Sequence, residues 1–131
     1  GNLAAIAAGE DMDANDMPVV DLSQTRSLLD GDEAALQSLI EIFLTDYSKN
    51  CLQLDQGARN KDIKTLCAVA HSLKSAVGVF GAPVAAEAAQ QVEIAARKGE
   101  AEKAVAGVPG LLAELARVVA YLRAQLPGKG V

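Results

Sequence analysis

Residues 70 to 82 read Ala70-His71-Ser72-Leu73-Lys74-Ser75-Ala76-Val77-Gly78-Val79-Phe80-Gly81-Ala82, with Pro83 next. Apolar side chains at Ile63, Leu66, Ala70, Leu73, Val77 and Phe80 recur three or four positions apart, which places them on one face of an α-helix. Gly81 is a helix stop signal and Pro83 suits the first turn of another helix. The stretch therefore spells an amphipathic helix, a tight turn and a second helix start. His71 is the chain's one histidine, and it falls about 100° around the helix from Ala70, at the edge of the inward stripe or outside it. A core position does not explain it.

The same period extends in both directions. Upstream, Leu36, Leu39, Ile40, Phe43, Leu44, Tyr47, Cys51 and Leu54 predict a long helix opened by Asp30 or Asp32 and weakened toward Gly57 and Asn60. The polar group Arg59-Asn60-Lys61-Asp62 reads as the connection, with Asp62 suited to the first turn that follows. Farther upstream, Asp21 and Gln24 suit a capping box for a short helix through Leu22, Leu28 and Leu29, ended by Gly31. Residues 1–20 show no sustained period and are expected to be a flexible linker, as left by cutting a larger protein. Downstream, Val84, Ala88, Val92 and Ala95 are the expected inward positions of a helix closing at Arg97 and Lys98 before Gly99. Val105, Val108, Leu112, Leu115, Val119, Leu122 and Leu126 predict a last helix, with a kink or short break at Gly107, Pro109 and Gly110. Residues 128–131 are expected to be a disordered tail. The fold implied is all-α: an antiparallel up-and-down four-helix bundle over residues 21–127, with a short N-terminal helix capping one end.

Composition agrees. A chain of 131 residues forms one core, and 50% apolar with only 3% aromatic content favours packed helices over aromatic-rich strands. A net charge of -5 argues against nucleic acid or an anionic membrane surface as partner. No run approaches the roughly 18 to 20 apolar residues of a membrane span, and no basic start marks a secretory signal, so a cytoplasmic, monomeric domain is expected. Cys51 and Cys67 fit no metal spacing and are expected to be reduced packing residues.

The chemistry gathers around His71. Cys67 and Ser75 lie one turn away on the same face, Lys74 at i+3 and Gly78 at i+7. These neighbours are small apart from one cation. A second protein can lay a flat surface on such a face and reach the imidazole while Lys74 holds an anionic group, which suits a phosphoryl-accepting histidine. The nucleophile is a neutral imidazole, and histidine's usual pKa of about 6.5 supplies it near neutral pH without a buried base.

The stretch Ala70-His71-Ser72-Leu73-Lys74-Ser75 through Phe80-Gly81-Ala82 closely resembles the core motif of the histidine-containing phosphotransfer (HPt) domain family. Phe43, Asp62 and the run Glu93 to Gly99 extend the resemblance over about Leu36 to Leu126. It departs at Ser75, where the family usually has glycine. The resemblance implies a phosphorelay intermediate that takes a phosphoryl group on His71 from one receiver-domain aspartate and passes it to another. Lys74 would then stabilise the phosphoryl charge, and Cys67, Ser75 and Gly78 would touch the partner. It implies response-regulator receivers as partners, Mg²⁺ held in the receiver's acidic pocket rather than by this domain, and a place as the C-terminal module of a hybrid sensor histidine kinase tethered at an inner membrane.

Other chemistries fit less well. An autokinase needs glycine-rich ATP-binding boxes, which are absent from the sequence. A di-metal bundle needs Glu-x-x-His, yet Ala68 stands where the glutamate belongs. A cysteine hydrolase built on Cys67 and His71 lacks an oxyanion hole. The alternative is a non-catalytic HPt-like module that regulates a receiver or other protein by binding alone.

Overall fold

Short connections decide the topology. In the computed structural model, which describes residues 18–127, five helices follow one another: α1 (Ser23–Leu28), α2 (Glu33–Arg59), α3 (Ile63–Val79), α4 (Pro83–Arg97) and α5 (Ala101–Ala124). Only residues 60–62, 80–82 and 98–100 separate the four long helices, so each reverses the direction of the last. α2 packs on α3 and α5, and α4 packs on the same two from the opposite corner. This is the expected antiparallel four-helix bundle.

Each start has a local cause. Asp32 accepts from the Ala35 amide at 3.1 Å, Asp62 accepts from the Thr65 amide at 3.2 Å and from Thr65 Oγ1 at 2.7 Å, and Pro83 opens α4. The inward stripe of α3 holds as read: Leu66, Ala70, Leu73 and Val77 are fully buried, Phe80 nearly so, and Ile63 is half-buried. Phe80 meets Phe43 edge to face with ring centroids 5.5 Å apart. Cys51 and Cys67 are both free thiols, half-buried.

Five expectations need correction. Of the inward positions expected on α4, Val92 and Ala95 are buried but Val84 and Ala88 are half-buried, and Ala85, Ala89 and Ala96 complete the core. Alanine at so many positions makes neighbouring phases alike in hydropathy, and only packing separates them. α5 runs unbroken through Pro109. Buried Ala104 and Val108 before the proline and Leu111 and Leu115 after it anchor both halves, outweighing the roughly 3 kcal/mol that an interior proline costs. Asp21 bonds Ser23, through the amide at 3.0 Å and Oγ at 2.7 Å, and Gln24 takes no part. Order reaches further back than Asp21, because Val19 and Val20 are buried in the core; the rest of the expected linker, residues 1–17, and the expected tail, 128–131, lie outside the described residues. Finally, α5 is by length and composition apolar enough to cross a membrane, although its Val108, Leu111, Leu115, Val118 and Leu122 are buried in the bundle.

α1 is fastened across the end of α3. The Asp21 amide donates to the Gly81 carbonyl at 2.8 Å and Thr25 Oγ1 donates to the Val79 carbonyl at 2.6 Å. Gly81 has φ +65°, and a Cβ there would stand 2.1 Å from the Asp21 carbonyl oxygen. Only glycine admits this approach.

Candidate functional site

α3 and α4 together build the site. Ala85, Ala89 and Ala96 bring α4 close against α3, and Glu93, beside the core residue Val92, is carried into the seam. Its side chain is 2% exposed, whereas that of His71 is 59% exposed on the facing helix. His71 Nδ1 lies 2.8 Å from Glu93 Oε2. Arg97, one turn on from Glu93, places Nη2 2.5 Å from the same oxygen. Lys74, one turn on from His71, places Nζ 3.0 Å from Oε1. Oε1 is buried and faces the Lys74 ammonium across the seam.

Burial pushes the Glu93 carboxyl up, but the Lys74 ammonium and the His71 Nδ1–H outweigh it and hold the pKa below the ordinary glutamate value. Glu93 is therefore a carboxylate, which only accepts. His71 must carry its ring proton on Nδ1 to donate to it, and the lone pair is left on Nε2. An exposed imidazole with a fixed tautomer is a nucleophile ready for an electrophile brought by another molecule.

The other residues read from the sequence are placed as follows. Ser75 and Gly78 are exposed on α3, and a Cβ added to Gly78 would meet nothing within 4 Å. Cys67 is half-buried and packs against the core. Lys74 is 34% exposed, so it is present beside His71 but already paired. The sequence pattern did not assign Glu93 a contact with His71. The available signal was an acidic residue next to inward Val92 and four positions before Arg97, a phase in which a carboxylate needs partners.

A second feature adjoins the histidine. α2 and α3 enclose a groove with an apolar part formed by Leu39, Ile42, Phe43, Ala76, Val79 and Phe80 and a polar part formed by Asp46, Lys49, Asn50, Gln53 and Ser72. Ile42 is 61% exposed and Val79 51%. Among the described residues, no group of three or more His, Cys, Asp or Glu is placed to hold a metal ion.

Comparison with known proteins agrees with the geometry. The family model described as the Hpt domain matches residues 38–124. The fold is similar to the crystal structure of histidine-containing phosphotransfer protein B from Pseudomonas aeruginosa PAO1, with a TM-score of 0.75 and 26% sequence identity, covering 82% of this chain and 94% of that one. No curated protein sequence matches the chain.

Proposed function

The chain belongs to the Hpt domain family, and from that premise we propose that His71 is the phosphoacceptor of a phosphorelay and shuttles a phosphoryl group between the aspartates of two response-regulator receivers. The observation that carries this is the bond from His71 Nδ1 to buried Glu93 on an otherwise exposed ring. Nε2 attacks the phosphorus of a receiver aspartyl phosphate, the P–N bond forms as the P–O bond breaks, and the aspartate leaves as a carboxylate. Nδ1 keeps its proton, so the ring becomes cationic beside Glu93, which offsets the new charge. Because the transition state is loose, placement and charge do most of the work.

The receiver brings Mg²⁺ in its own acidic pocket, and this chain brings the histidine and a surface to dock on. The groove of Ile42, Ala76 and Val79 supports a receiver seated across α2 and α3 beside His71, wider than the face of Cys67, Ser75 and Gly78 alone. The domain acts as a phosphocarrier without kinase activity, placed in the cytoplasm as the last module of a hybrid sensor histidine kinase. Incubation with a ³²P-labelled phosphorylated receiver tests this: label appears on His71, and Ile42→Asp slows its appearance by raising KM. Binding without label leaves regulatory docking as the function.

A further inference from the structure

Glu93 is surrounded by more positive charge than one carboxylate neutralises. Lys74 lies at 3.0 Å from Oε1 and Arg97 at 2.5 Å from Oε2, while His71 donates to Oε2 as well. One carboxylate and two cations leave one positive charge in excess.

The two cations are held differently. Arg97 follows Glu93 by one turn on α4, so it moves with the carboxylate, and its planar fork hydrogen-bonds the oxygen that also holds His71. Lys74 rides on the histidine helix, is a flexible stem with a rotatable ammonium, and meets Oε1 across the seam at a single point. A phosphoryl group on Nε2 would arrive one helical turn from Lys74. Without Arg97, moving Lys74 to it would leave a 2%-exposed carboxylate with only the phosphorylated His71 ring as counter-charge, which the phosphoryl oxygens also draw on, and a buried charge so poorly compensated is unfavourable. With Arg97 in place, the move needs only rotation about the Lys74 side-chain bonds.

We propose that Arg97 is a positioning residue for phosphotransfer: it holds Glu93 through the whole cycle and so frees Lys74 to leave Oε1 and pair with the phosphoryl group. This rests on His71 being the phosphoacceptor. Lys74 then has two states, on Glu93 before transfer and on the phosphoryl oxygens after it. Arg97 has one.

A double-mutant cycle tests the exchange. Lys74→Gln, Arg97→Gln, the double variant and Arg97→Lys are compared for the rate of label transfer from a phosphorylated receiver. Each single Gln variant is expected to slow transfer roughly tenfold, the factor that goes with one charge-assisted contact. The double variant is expected to be less than threefold slower than either, because Lys74 is already retained by Glu93 when Arg97 is gone. Arg97→Lys restores most of the rate. Slowing in the double variant equal to the product of the single effects overturns the proposal, since each cation then acts independently; so does wild-type transfer by Arg97→Gln. As a second readout, the domain is phosphorylated with phosphoramidate and the ¹⁵N signal of the Lys74 ammonium is followed. It shifts on phosphorylation in the wild type and stays put in Arg97→Gln; a shift of equal size in both also overturns the proposal. Failure of His71 to take up label from either donor is a different result, sinking the phosphoacceptor assignment itself.

Discussion

His71 Nδ1 and Glu93 Oε2 stand 2.8 Å apart across the α3–α4 seam, though 22 positions separate them in sequence. The pair selects one ring tautomer, which helix spacing on α3 alone cannot do. Glu93→Ala is expected to let Nδ1 and Nε2 share the lone pair and to slow phosphoryl uptake roughly tenfold. Ring ¹⁵N shifts of the unphosphorylated domain check it: the neutral ring shows one tautomer in the wild type and a mixture in the variant.

Acid should weaken the fold through the same residue. Glu93 has a lower pKa folded than its ordinary value of 4.5, so the unfolded chain binds protons more readily. Its contribution to stability is complete above about that ordinary value and is lost as pH falls through the depressed folded pKa. Thermal unfolding of the wild type is expected to show Tm falling faster below pH 4.5 than in Glu93→Gln, with the two curves parallel near neutrality. Equal acid slopes would remove Glu93 from the pH response.

His71→Gln separates chemistry from recognition. Acid-labile, alkali-stable phosphate labelling is expected to vanish, while the Kd for the receiver changes by less than about threefold, because one rim side chain contributes little of an interface's binding energy. Titration calorimetry beside the labelling assay measures both.

At Gly78 two effects should move in opposite directions. The position lies in the last turn of α3 with open space around it, so Gly78→Gln is expected to stabilise the domain by up to about 0.5 kcal/mol through helix propensity. The same side chain projects two turns beyond His71 and should weaken receiver binding by steric overlap. Denaturant unfolding and receiver titration on one preparation decide it, and a destabilised Gly78→Gln would mean that glycine serves the fold there.

Gly81 should tolerate no side chain. Gly81→Ala sets a Cβ 2.1 Å from the Asp21 carbonyl oxygen at φ +65°, so the segment before α1 must shift and the Asp21–Gly81 hydrogen bond is strained or lost. A loss of about 2–3 kcal/mol is expected, read as a drop in urea midpoint with an unchanged slope. Faster amide exchange at Asp21 would place the damage at this clasp.

The helices were legible because Leu36, Ile40, Phe43, Leu66, Leu73 and Leu115 are large side chains whose spacing states a face, and the ends were legible because Asp32, Asp62, Gly81 and Pro83 each have a local capping or turn chemistry. His71 stood out because the stripe beside it was already filled. The phase of α4 was less visible: with alanine at 85, 86, 88, 89, 95 and 96, hydropathy barely changes with rotation. Glu93 was hidden for a related reason, since its partners His71 and Lys74 sit on another helix and those contacts exist only once α3 and α4 pack. The break expected at Pro109 ignored what a continuous buried stripe does for a helix on both sides of a proline.

The three-residue connections bear on how the chain acquires this site. α3 and α4, which carry His71, Lys74, Glu93 and Arg97, are consecutive and joined by residues 80–82 alone, so the seam closes through a loop of little entropy. Contacts between sequence neighbours make for quick folding, on the order of microseconds to milliseconds for helical bundles. The pairing of α2 with α5 and the fastening of α1 to the end of α3 join distant parts of the chain. A domain partly unfolded would therefore rebuild its histidine hairpin first and close the far corner last.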